Sequence, residues 1–153
     1  MLFLDRVEDG LRTRGGPIVI GIDIVSVRDI MPRLADARWR HFAFAEIELE
    51  AVARRSETAQ LRLLAATWSL KEAVVKANGT GFSCGISPHG VVIEFRERGP
   101  WLSSALAQGC PHNGEFFLST SWTRETVVGV CVIGSHRNCR NNLHKLRGGR
   151  DDD

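Results

Sequence analysis

The sequence predicts an α+β domain in which one long helix packs on mainly antiparallel strands. Three observations carry this reading. From Ser56 or Glu57 to Ala77, Leu61, Leu64, Ala65, Trp68 and Val75 recur at spacings of three and four, which gives a helix one apolar face. Residues 115–121 and 125–133 are rich in β-branched and aromatic side chains and are joined by a link short enough for a hairpin. Helical segments cluster in the first half and strands come later, an order that suits α+β rather than a doubly wound parallel sheet.

Taken in chain order, PIVIGIDIVS (17–26) follows Gly15-Gly16 and its Ile/Val content favours a strand. A helix is expected from about Val27 to Ala37, kinked at Pro32 or starting nearer Met31. Ala45 to Arg54 reads as a second short helix. The long helix stops at Asn78-Gly79, residue types that tolerate the left-handed conformation at a helix C-terminus. Gly90 to Phe95 reads as a strand, and Pro100 to Gln108 as a short helix with Pro in its first turn. Trp39, Phe42 and Phe44 suit the core or an interface, and the core is the preferred reading.

The chain's 153 residues suit one domain. It is divided here into an N-terminal extension (1–15), the domain (16–133) and a basic tail (134–153) expected to be disordered. Arg137, Arg140, Lys145, Arg147 and Arg150 against three terminal aspartates supply the whole net charge of +2. The rest of the chain is balanced and has no basic stripe with aromatic platforms, so no nucleic-acid partner is expected. No apolar run reaches the roughly 20 residues of a membrane helix, and the polar N-terminus does not read as a secretory signal. Cys84, Cys110, Cys131 and Cys139 form no C-x-x-C pair, as suits ordinary thiols in the cytoplasm.

The chemistry-bearing residues are Asp23 and Glu72. Asp23 stands between Ile22 and Ile24 in an apolar strand. A carboxylate there is costly unless compensated; burial alone neutralises it, whereas a bound cation keeps it ionised. Glu72 stands on the apolar long helix. Two carboxylates from different elements can converge on one hard cation, and Mg2+ suits such a pair because it fills its octahedron with water and phosphate oxygens. The plain alternative is surface carboxylates or carboxylates paired with Arg. Lys76, four residues after Glu72, shares its helical face, either as an ordinary ion pair or as an ammonium beside a metal-bound phosphate. Gly79-Thr80-Gly81 permits close approach of a ligand or a partner chain.

GIDIVSVRDI (21–30), WSLKEAVVKANGTGF (68–82) and LSTSWTRETVVGVCVI (118–133) resemble, in order and spacing, the signature blocks of the holo-acyl-carrier-protein synthase family, the short 4'-phosphopantetheinyl transferases. The middle block carries most of the specificity. The resemblance implies a 4'-phosphopantetheinyl transferase-like fold, a homotrimer with sites between protomers, and transfer of phosphopantetheine from coenzyme A to a serine of an apo acyl carrier protein. It places Asp23 and Glu72 on the family's Mg2+ ligands and Lys76 near the pyrophosphate, these three forming the catalytic set. Lys71, Lys76, Gly79, Gly81, Ser121, Trp122 and Thr123 are expected against coenzyme A, and Arg28, Arg33 and Arg38 against the acidic carrier. Glu48 resembles the glutamate that follows the family's first helix. The general base is left open among a metal-bound water, Glu72 and Lys76.

This chain departs from the family pattern at several positions. Trp122 replaces a histidine and Thr67 an arginine; Arg98-Gly99-Pro100 replaces Gly-Lys-Pro; Asp29 stands where arginine is common. A second reading follows from these changes: a repurposed transferase fold that binds or acts on a carrier-tethered intermediate without phosphopantetheinyl transfer.

Overall fold

The computed structural model describes residues 18–82, 85–103 and 114–134. Expectations for the N-terminal extension, the tail, Cys84, Cys110, Cys139 and the last residues of the helix expected at 100–108 lie outside the described residues. The described elements run β1 (Val19–Ser26), α1 (Val27–Ala35), α2 (Ala37–Ala43), α3 (Glu46–Ala53), α4 (Glu57–Asn78), a 3-10 turn (Pro88–Gly90), β2 (Ile93–Arg96), β3 (Gly99–Leu102), β4 (Glu115–Trp122) and β5 (Thr126–Gly134). The α+β class holds. No described helix is long and apolar enough to cross a membrane.

β1, β5 and β4 form an antiparallel sheet in that order, with Asp23 opposite Gly129 and Gly129 opposite Thr120. β2 and β3 form a separate hairpin. The α4 helix lies across the sheet where two strands lack side chains. A Cβ built on Gly21 would stand 2.0 Å from the Ala73 carbonyl oxygen, and one on Gly129 would stand 2.6 Å from the Ser69 backbone. Helix backbone therefore rests on strand backbone. Apolar side chains fill both sides of this contact: Leu70, Val74, Val91, Ile93 and Ile133 toward one end, and Ile30, Leu34, Phe44, Leu64 and Val127 toward the other.

Side chains alternate across a strand, so each strand residue packed under α4 has neighbours on the outer face. Ile20, Ile22 and Ile24 project there at 58%, 53% and 66% exposure. The register sets them beside Val132, Val130 and Val128, with Phe117, Ser119 and Ser121 one strand further.

Several details differ from the expectations. α1 begins directly after Ser26, whose hydroxyl caps it by accepting the Asp29 N–H at 3.3 Å, and Pro32 lies inside it. The chain then forms α2, which the periodicity did not announce because seven residues complete barely two turns. Asp36 caps α2 by accepting the Arg38 N–H at 2.8 Å. Residues 99–102 are a strand, not the start of a helix: Gly99 turns the chain at φ +117° and Pro100 pairs opposite Phe95 in a two-stranded hairpin, an edge setting that tolerates proline. Phe44 is buried and Trp39 packs against both Phe44 and Trp68, but Phe42 is 56% exposed and leaves the expected core.

Candidate active site

Asp23 is carried on β1 on the helix side of the sheet. Its side chain is 12% exposed. One carboxylate oxygen, Oδ1, accepts from Lys76 Nζ at 2.6 Å; the other, Oδ2, is enclosed and has no hydrogen-bond donor among the described residues. The strand is tied to the helix beside it, because Ser69 Oγ donates to the Asp23 carbonyl at 3.0 Å. Lys76 Nζ also reaches toward the Ile22 carbonyl at 3.4 Å, and its side chain remains half exposed.

Glu72 precedes Lys76 by one helical turn. Burial pushes its carboxyl above the ordinary glutamate range, the Asp23 charge pushes it further, and Lys76 pulls it back. The two carboxylates thus sense each other as like charges. Among the described residues no three His, Cys, Asp or Glu side chains cluster around a common point. A two-carboxylate set with one enclosed, undonated oxygen suits a hard divalent ion that keeps most of its water and takes phosphate oxygens.

The raised Glu72 pKa has a definite sign in stability. The folded chain holds the Glu72 proton to higher pH than the unfolded chain. The group's favourable contribution is therefore complete below the unfolded pKa and is lost as pH rises through the folded one. In chelator, Glu72→Gln is expected to melt higher than the wild-type chain near pH 8, with the gap closing toward about pH 3, where glutamate is protonated in both states. Thermal melts across that range check it; a gap that widens at low pH contradicts the assigned charge environment.

The other sequence-derived residues fall in three places. Gly79 and Gly81 follow α4, with φ of +78° and +59°; Gly79 N–H bonds back to the Lys76 carbonyl at 3.1 Å and closes the helix. Ser121 and Trp122 end β4 on the other side of Asp23 from Gly79–Gly81, level with Ile24 and Val25 of β1, and Thr123 follows them. Trp122 is 49% exposed there, and the Thr123 hydroxyl accepts the Glu125 and Thr126 N–H groups. One chain thus does not gather the expected coenzyme A contacts into a single place. Arg28, Arg33 and Arg38 are exposed on α1 and at the start of α2.

Lys71 is a correction. It is expected against coenzyme A, but its ammonium is fully buried and donates to the Ala43 carbonyl (2.9 Å), Glu48 Oε2 (2.6 Å) and the Pro88 carbonyl (2.9 Å). An ammonium has three N–H donors, so none is left for a phosphate. Burial pushes the Lys71 ammonium down and the Glu48 carboxyl up, and each charge opposes the other's shift. Thr67, the residue before Trp68, is also buried and donates to the Leu63 carbonyl at 2.8 Å. The role of Glu48 as Lys71's partner was not legible; only its place after a short helix was.

Comparison with known proteins decides the family. Residues 19–131 match the family model of the 4'-phosphopantetheinyl transferase superfamily. The chain belongs to that superfamily. This transferase is 33% identical over 116 residues to a holo-[acyl-carrier-protein] synthase of Dinoroseobacter shibae, covering 69% of this chain and 81% of the relative. It is 28% identical over 117 residues to one from Limosilactobacillus reuteri, covering 76% and 94%. Among solved structures it is similar to a holo-(acyl-carrier-protein) synthase from Bacillus anthracis crystallised with CoA (3',5'-ADP), at TM-score 0.66 and 25% identity over 76% of this chain and 96% of that one. The transferase is an enzyme of the holo-acyl-carrier-protein synthase kind.

Proposed function

We propose that this transferase moves 4'-phosphopantetheine from coenzyme A to a serine hydroxyl of an apo acyl carrier protein, with Mg2+ held by Asp23 and Glu72. The observation that carries the reading is the Asp23–Lys76 ion pair across the β1–α4 contact, with Glu72 one turn before Lys76 on the same helix. The serine oxygen forms the new bond to the phosphorus next to the pantetheine arm, its proton passes to a general base for which Glu72 and Lys76 are this chain's candidates, the diphosphate P–O bond breaks, and adenosine 3',5'-bisphosphate leaves with that oxygen. Mg2+ bound at the pair would supply Lewis-acid polarisation of the attacked phosphorus. Lys76, half exposed beside Asp23, sets an ammonium where the diphosphate gathers negative charge. The exposed Arg28, Arg33 and Arg38 offer a basic approach to an acidic carrier, which favours encounter and orientation. A cytoplasmic setting belongs to this reading.

The working unit in this proposal is a homotrimer. The apolar outer face of the sheet, with three isoleucines more than half exposed, supports it. Assembly also offers a way to join the separated Gly79–Gly81 and Ser121–Thr123 ends through a neighbouring copy. Ile22→Glu, at the centre of that face, is expected to give a monomer by light scattering and to lower transfer at least about tenfold, because a buried unpaired carboxylate is strongly disfavoured. A trimeric, active variant contradicts this.

Intact mass spectrometry of a panel of apo carrier proteins, incubated with the enzyme, coenzyme A and Mg2+, tests the reaction. A gain of one phosphopantetheine supports it. No gain on any carrier, beside an active reference transferase, overturns it and leaves the repurposed-fold reading.

A further inference from the structure

Besides the half-open Asp23–Glu72–Lys76 group, the described residues hold a cluster of ionisable side chains sealed from solvent: Lys71 and Glu48. Its connections are long-range. Lys71, on α4, holds the end of α2 through the Ala43 carbonyl, α3 through Glu48, and the 3-10 turn through the Pro88 carbonyl. Glu48 accepts in turn from the Ile93 N–H at 2.7 Å, which ties in β2, and from the Ala45 N–H at 2.8 Å. One lysine of the long helix is therefore the meeting point of four segments.

Stability alone does not call for this arrangement. Buried ion pairs replaced together by well-packed neutral groups often cost nothing, whereas a polar pair can enforce one geometry among several. The geometry at stake is visible in the chain order. Glu72 is the next residue after Lys71, about 100° further round the helix. On its sheet side α4 rests on the bare backbone of Gly21 and Gly129, where Ser69 Oγ ties it to the Asp23 carbonyl at 3.0 Å. On its other side the three Lys71 bonds oppose rotation of the helix about its axis.

We propose that the Glu48–Lys71 pair is a positioning element: it holds α4 in the rotation that presents Glu72 to Asp23, and it acts on transfer only through Glu72. This rests on the function proposed above. The test is the double variant Lys71→Met/Glu48→Gln. Met fills the lysine stem; Gln keeps an acceptor for the Ile93 N–H and turns an amide donor toward the carbonyls that Lys71 releases.

Two readouts are taken: Mn2+ affinity by electron paramagnetic resonance without coenzyme A, and kcat and KM for coenzyme A on a carrier that the wild-type enzyme modifies. The expected result is Mn2+ binding weaker by about tenfold or more, as for other groups that orient metal ligands. The expected kcat loss is about 10- to 100-fold, with KM for coenzyme A within about threefold of wild type. Ile133→Ala, on β5 in the other apolar cluster, is the control for lost stability alone and is expected to leave both readouts unchanged per folded molecule. A folded double variant with wild-type Mn2+ affinity and kcat overturns the proposal. If the double variant does not fold, Glu48→Gln alone decides, since Lys71 then keeps its Ala43 and Pro88 bonds: a reduced Mn2+ affinity supports the proposal and an unchanged one overturns it. A wild-type enzyme that modifies no carrier removes the proposed function while the Mn2+ arm still reads positioning. A wild-type enzyme that binds no Mn2+ overturns the inference itself.

Discussion

Asp23→Ala and Glu72→Ala are each expected to lower phosphopantetheinyl transfer by about 10³-fold or more, the scale on which preformed charge stabilisation at a reacting phosphorus acts. The two variants should not be equivalent in other respects. Removing Asp23 frees Lys76 from its 2.6 Å partner and takes a like charge away from Glu72, whose carboxyl should then titrate lower. Removing Glu72 leaves the Asp23–Lys76 pair in place. Carrier mass read against time, with both variants shown folded by circular dichroism, checks the outcome. A variant that keeps a tenth of wild-type activity would show that the pair is not the cation site.

Gly21→Ala is expected to be the most destabilising small substitution in the described domain. Its new methyl would stand 2.0 Å from the Ala73 carbonyl oxygen and 2.5 Å from the Ala77 nitrogen. Both are helix backbone atoms, which cannot swing aside as the end of a side chain can. Overpacking of this kind costs about 3 kcal/mol or more. For a chain of this size that lowers the melting temperature by roughly 10 °C. Gly79→Ala is the comparison: its φ of +78° disfavours a side chain, but nothing stands within 4 Å of the added carbon. It should cost only about 1 kcal/mol, the ordinary penalty of a left-handed residue. A larger loss at Gly79 than at Gly21 would refute the close helix–strand contact.

The candidate site was legible where local sequence was contradictory. Asp23 among isoleucines, and Glu72 with Lys76 on an apolar helix, stand out because burial penalises them; in the structure Lys76 pairs with Asp23, and Glu72 lies one turn before Lys76 on the same helix. The long helix and the β4–β5 hairpin were legible because each repeats its period for long enough. Lys71 was not. A lysine in a helix reads as a solvated charge, and the groups that receive it lie 17, 23 and 28 residues away in sequence. α2 was too short to show a period, and Pro100 followed a turn whose handedness no residue pattern announced. Trp122 and Thr67 were legible as departures from the family, but what they do was not. Thr67 satisfies its own helix, and Trp122 stands half open at the far end of β4.

The contact of α4 with Gly21 and Gly129 makes the distance between the two carboxylate-bearing elements a property of main chain against main chain. Core side chains can be exchanged, and the end of β4 can change its chemistry, without altering that spacing. A saturation library should therefore be uneven. Conservative apolar replacements at Leu70, Val74 or Ile133 should survive in number, while the two glycine columns should be nearly blank. Such a frame would let a transferase change residues at the end of β4, a tryptophan for the family's histidine among them, while Asp23 and Glu72 keep their spacing.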